Sequence, residues 1–235
     1  ASKVVTVSQD WSKRLGRIGT RNVRVVYNGF DHTDEVTMPI APSEKFTITY
    51  LGALSKIQNP MNLWKALSEL VMDDSNFMKD LKINMIGQID SSAASCIEKY
   101  GLTQFTSFSP YIPHSQVSSV HHKSALLLLL LMPNSEPRAK GLLTGKLFEY
   151  LASGRPILCI GPEDGDAAKI LHETHAGTTI DFDNTDQMKQ TIKAYYEKFH
   201  NKCLDTNDSM EINKFSRKSL AGEYARLLTQ TIQTP

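Results

Sequence analysis

The sequence predicts an α/β fold: a Rossmann-like parallel sheet of about six strands with helices on both faces. Two observations carry this. From Lys45 onward, short apolar runs alternate with stretches of helical periodicity, the pattern of a parallel sheet built through right-handed crossovers. Residues 125–132 are apolar without interruption. That run is too short to span a bilayer and suits a central strand buried on both faces. With 235 residues, the chain is long enough for one sizeable α/β domain with a buried core.

The elements follow in order. Residues 1–30 read as strand, helix, strand. Ser8 can cap a helix starting at Gln9, Gly16 and Gly19 can end it, and Asn28-Gly29 makes a turn. Residues 31–44 lack apolar periodicity and hold Pro39 and Pro42, so they read as an extended linker. Residues 46–51 form a strand. Leu63, Leu67, Leu70 and Val71 mark the core face of a helix. Residues 83–86 form a strand ending at Gly87, and 91–100 a helix. A short strand at 104–108 and a short helix at 115–121 precede the apolar strand 125–131. A polar loop, 133–143, leads to a helix from Gly145. A strand at 156–160, a helix at 166–174, a strand at 177–180 and a helix at 186–199 complete the domain, 45–212. The tail 213–235 reads as one amphipathic helix, with Leu220, Tyr224, Leu227 and Leu228 on its apolar face.

Composition narrows the function classes. The net charge of +1, from 26 basic and 25 acidic residues, gives no basic footprint for nucleic acid. A mean hydropathy of −0.29 is that of an ordinary soluble protein. Cys96, Cys159 and Cys203 show neither disulfide-framework nor zinc spacing, so a reducing cytoplasm fits best. No metal-ligand spacing, paired carboxylates or Ser-His arrangement stands out.

The most informative stretch is Thr144-Gly145-Lys146-Leu147-Phe148-Glu149-Tyr150-Leu151-Ala152-Ser153-Gly154-Arg155-Pro156-Ile157-Leu158. Thr144 suits an N-cap, and Gly145 leaves the first-turn amides open to an anion. Lys146 adds positive charge there. Glu149 lies one turn on, close to the same helix face. Phosphates at one end and hydroxyls at the other describe a nucleotide sugar. Spacing alone also allows a plain Lys146–Glu149 ion pair.

This segment resembles the GT-B glycosyltransferases, in particular the large retaining group 1, or family four. Two further stretches are similar to that family in the same order. One is Val4-Val5-Thr6-Val7-Ser8 with Val25-Val26-Tyr27-Asn28-Gly29-Phe30-Asp31. The other is Tyr50-Leu51-Gly52-Ala53-Leu54 with Asn59-Pro60. The resemblance covers nearly the whole chain. It implies a C-terminal, donor-binding domain of a hexosyltransferase-type enzyme with no obligatory metal and no cofactor. The donor would be a nucleoside diphosphate sugar. The acceptor, a sugar or lipid-linked glycan, would sit on an N-terminal domain of which residues 1–30 are the last pieces or the interdomain segment. That missing domain could also touch a membrane peripherally. The tail 213–235 would be the crossover helix, and the setting bacterial, cytoplasmic polysaccharide assembly.

Residue by residue, the resemblance places the ribose-binding carboxylate at Glu149. Lys146 and Lys56 take the catalytic, charge-neutralising roles. Gly52, Gly87, Lys140, Gly141, Leu142, Thr144, Gly145 and Leu147 join them around the donor, and Tyr111 and Ile112 lie by the base. Two positions depart from the pattern. Gly141 stands where many members have the first Glu of E-x7-E, and Ala53 where the loop often has Arg. The usual contact to the transferred sugar is thereby open. A nucleotide-sugar epimerase of the same fold and a non-catalytic nucleotide-binding module are the alternatives.

Overall fold

The computed structural model describes residues 3–31, 43–204 and 210–233. The central linker, 32–42, lies outside the described residues.

The N-terminal piece is β1 (Val4–Thr6), α1 (Gln9–Arg17) and β2 (Val23–Val25). The two strands pair in parallel, Val4 opposite Val23. Ser8 caps α1, its hydroxyl accepting from the Trp11 amide. Gly19, at φ +88°, follows the last turn.

The main sheet holds β3 (Phe46–Leu51), β4 (Leu81–Ile86), β5 (Thr106–Ser109), β6 (Leu126–Leu130), β7 (Ile157–Ile160) and β8 (Gly177–Ile180) in the order β5-β4-β3-β6-β7-β8. Every pairing is parallel. The order reverses between β3 and β6, and the crevice outside the carboxyl ends of these strands is where such sheets bind ligands.

β6 explains the uninterrupted leucine run. Leu126, Leu128 and Leu130 enter one core with Phe46, Ile48, Trp64, Leu67 and Met188. Leu127, Leu129 and Leu131 enter the other with Leu147, Phe148, Leu151 and Ile170. Side chains alternate across a strand, so both faces of β6 meet a core and every one of its positions is apolar.

The first core is closed by α2 (Met61–Asp73), α4 (Ser91–Lys99) and α8 (Thr185–His200). The second is closed by α6 (Gly145–Ala152) and α7 (Asp166–Glu173). Between β5 and β6 runs α5 (His114–Lys123).

Two short helices go beyond the sequence reading. A separate helix, α3 (Ser75–Asp80), stands before β4. The Asp74 carboxylate caps it, accepting from the Asn76 and Phe77 amides. The tail forms one long helix, α10 (Arg217–Gln233), and a short helix, α9 (Met210–Asn213), stands before it. The break at Phe215 and Ser216 exists because Phe30 pairs there. The Phe30 amide donates to the Phe215 carbonyl at 3.1 Å, and the Arg217 amide donates to the Phe30 carbonyl at 2.8 Å. Among the described residues, no helix is long and apolar enough to cross a membrane.

Candidate donor-binding site

Two glycines pave the carboxyl edge of the sheet. Gly52 follows β3 at φ +141°, and Gly87 follows β4 at φ +117°. Only glycine takes up such angles without strain. Both amides are used internally: Gly52 donates to Ile86 at 2.8 Å and Gly87 to Ser109 at 2.8 Å. Their missing side chains make the room. A Cβ on Gly52 would stand 2.5 Å from the Lys146 ammonium. One on Gly87 would stand 2.4 Å from the Gly52 carbonyl and 3.1 Å from the Tyr111 ring. Gly52, Gly87, Tyr111 and Lys146 therefore form one floor.

Lys146, on the first turn of α6, reaches back over β3. Its ammonium donates to the Tyr50 hydroxyl at 3.0 Å and lies 4.3 Å from the centre of that ring. The Tyr50 hydroxyl donates onward to the Ala53 carbonyl at 2.5 Å. Burial lowers the Lys146 pKa to about 8, partly offset by the negative charge of Glu149. The Lys146–Glu149 ion pair that spacing allows is not formed, and Lys146 bridges no carboxylate among the described residues. A half-buried cation whose polar partner is one phenol retains donors for an anion.

Glu149 is half-buried. It borders a narrow cavity of about 20 Å3 with His114, Val117, Ser118 and His121 of α5. His121 is buried with its Nε2 unpartnered, its ring edge-on to Tyr150 at 4.9 Å. Burial pushes its pKa down to about 4. Tyr111 stands 58% exposed and Ile112 half-buried, just before α5.

The remaining expectations divide. The backbone of Thr144 sits at the cap of α6, but its hydroxyl caps nothing and is buried without a partner. Gly145 is exposed, and a Cβ there would meet nothing. The Leu147 side chain is core, which leaves only its backbone for a ligand, and Leu142 packs against the same cluster. Lys140 is bridged to Asp164 in the loop before α7. Lys56 is exposed in the turn Lys56–Gln58 on the same sheet edge and makes no ion pair among the described residues.

Gly141 lies where α1 packs against the loop. Its Cα side faces the protein: a Cβ would lie 2.3 Å from the Trp11 ring and 3.0 Å from the Ser8 hydroxyl. The loop backbone is approached there by α1, and Trp11 occupies the space a glutamate at this position would need. Sequence reasoning quoted Tyr50 at the head of the glycine loop but gave it no role in the site. Its signal was its place two residues before a glycine at a strand's carboxyl end.

No protein-family model matches the sequence, and no curated protein matches it. Solved structures do match. TarM from S. aureus, in complex with Fondaparinux, α-GlcNAc-glycerol and UDP, superposes with a TM-score of 0.72 at 13% identity. That match covers 96% of this chain and 43% of TarM. HepE from Anabaena, in complex with UDP and glucose, gives 0.75 at 16% identity, covering 97% of this chain and 63% of HepE. Sucrose-phosphate synthase from Thermosynechococcus elongatus gives 0.75 at 13%, covering 100% of this chain and 59% of the synthase. These neighbours are GT-B glycosyltransferases, and the chain has the Rossmann-like architecture of one half of their fold. It spans less than two thirds of the length of each.

Proposed function

We propose that this chain is the donor-binding part of a retaining GT-B glycosyltransferase that moves a hexose from a nucleoside diphosphate sugar to an acceptor. The observation that carries the reading is the Lys146 ammonium, half-buried against Tyr50 at the switch point, without a carboxylate, over a floor of two left-handed glycines. The UDP and UDP-glucose complexes of structurally similar HepE support the same donor class.

The chemistry follows from charge. As the bond from the anomeric carbon to the diphosphate breaks, negative charge gathers on the leaving phosphate. Lys146 and the first-turn amides of α6, already in place, stabilise it. Glu149 accepts from the ribose hydroxyls and so fixes the nucleoside. Tyr111 and the backbone near Ile112 flank the base. Lys56, on its exposed turn, can swing toward the phosphates. Position and charge neutralisation do the work, with the acceptor and its polysaccharide setting supplied by the rest of the protein.

A nucleotide-binding module without transfer is the second reading. It is favoured by Trp11, seated where the sugar-contacting glutamate would stand. Calorimetry of UDP and GDP with Lys146→Met and Glu149→Gln tests the site: unchanged affinity in both variants overturns the assignment. Donor hydrolysis by the complete protein separates transfer from binding alone.

A further inference from the structure

The opposite edge of the sheet holds a second cavity, of about 620 Å3, where the amino ends of β3, β4 and β7 meet the end of α8. Arg155, Lys202, His200, Asp80, Glu44 and Phe199 are among the residues that line it. Arg155 directly precedes Pro156 and β7. Its backbone amide donates to the Ser153 hydroxyl at 3.2 Å, which fixes where the side chain leaves the turn.

That side chain is out of place by ordinary rules. Arg155 is only 7% exposed, and its Nε has no partner. Its guanidinium makes no hydrogen bond or ion pair among the described residues. A guanidinium stays charged in proteins, and buried charges are paired or costly. The two nearby acids do not serve it. Asp80 is taken up by Lys45 at 3.7 Å, His200 at 3.3 Å and the Tyr196 hydroxyl at 2.9 Å. Glu44 is exposed and makes no bridge to it. Burial also holds the guanidinium below its usual pKa range, as expected of a cation lacking its counter-ion.

We propose that this cavity is a binding site for a small oxyanion, a phosphate or carboxylate group, taken bidentately by Arg155 with Lys202 at its rim. The planar fork of a guanidinium matches such a group. Phe199 and the aliphatic stem of Lys202 give the cavity an apolar side, so the natural ligand would carry carbon beside its anionic group. The site lies across the sheet from Lys146, so an effector there could act on the domain without competing for the donor pocket.

The probe is inorganic phosphate, titrated by calorimetry into the full chain at constant ionic strength. The Lys146→Met background removes the donor site as an alternative. Phosphate binding should persist in Lys146→Met. It should fall about tenfold or more when Arg155→Gln is added, the loss expected for a charged hydrogen-bonding partner. Lys202→Gln, an exposed position, should weaken it less, and Arg155→Lys should give an intermediate loss because charge remains without the fork. These two keep the test open if Arg155→Gln folds poorly. Absence of phosphate binding at tens of millimolar overturns the proposal, as does binding that Arg155→Lys and Lys202→Gln leave unchanged. UDP binding should survive Arg155→Lys, so failure here is distinct from failure of the donor-site reading.

Discussion

Lys146 sets stability against function at one residue. Its folded pKa of about 8 lies below the free value of 10.5, so folding penalises the protonated form. The unfolded chain holds more protons between these values, and stability therefore rises with pH from about 8 to 10.5. At neutral pH the charge is a cost. Lys146→Met should stabilise the protein by about 1–2 kcal/mol, after discount for partial exposure, as read by urea unfolding at pH 7. The same change should weaken nucleoside diphosphate binding about 10–100-fold, because it removes a charged donor from the phosphates. Affinity should be flat below pH 7 and fall about tenfold per unit above pH 8 as the ammonium deprotonates. Lys146→Arg should abolish that fall, since a guanidinium keeps its charge. A wild-type affinity that stays constant to pH 9 would contradict this role for Lys146.

At the scale of elements, the loop before α6 and the helix α1 were made for each other. Gly141 admits the Trp11 ring because it has no side chain. Gly141→Ala forces the indole to move, an overpacking cost of about 1–3 kcal/mol. If the contact is the cause, Trp11→Ala should relieve part of that cost, and the double-mutant cycle should show a favourable coupling. Additive single effects would place the strain elsewhere. The same pair shows what the sequence could and could not tell. The sequence makes plain that Gly141 lacks a carboxylate, and Ser8 as the cap of α1 was readable from its hydroxyl before a helical run. That α1 seats its tryptophan on a glycine 130 residues further along depends on a tertiary contact no local pattern encodes. The short helix α9 and its break from α10 were hidden likewise, because Phe30 pairs with the backbone of Phe215 and Arg217 from far back in the chain. By contrast β3 and β6 were readable almost to the residue, β6 as a continuous apolar run buried on both faces and β3 as a short run of β-branched and aromatic residues.

Over the whole molecule, the two faces of the sheet are closed by different helices, and His121 lies where α5 meets α6. It is 2% exposed, its ring set edge-on to Tyr150, with Nε2 unpartnered. Desolvation, reinforced by His122, lowers its pKa from 6.5 to about 4. No group facing it supplies a negative charge strong enough to reverse that, although Glu149 borders the same narrow cavity. For a base with a depressed folded pKa, the unfolded chain binds the extra proton between the two values. Stability should then be fully present above pH 6.5 and decline as pH falls toward 4, by up to about 3 kcal/mol from this one ring. Because Tyr111 lies in the loop just before α5 and Glu149 on α6, the loss should be felt at the nucleoside end of the donor site before the sheet itself yields. Thermal unfolding of wild type and His121→Phe between pH 4 and 7 checks this. The phenyl ring keeps the contact with Tyr150 but cannot titrate, so the variant's curve should be markedly flatter over that window. Parallel curves would show that the acid sensitivity of this fold comes from its carboxylates and that the buried imidazole is silent.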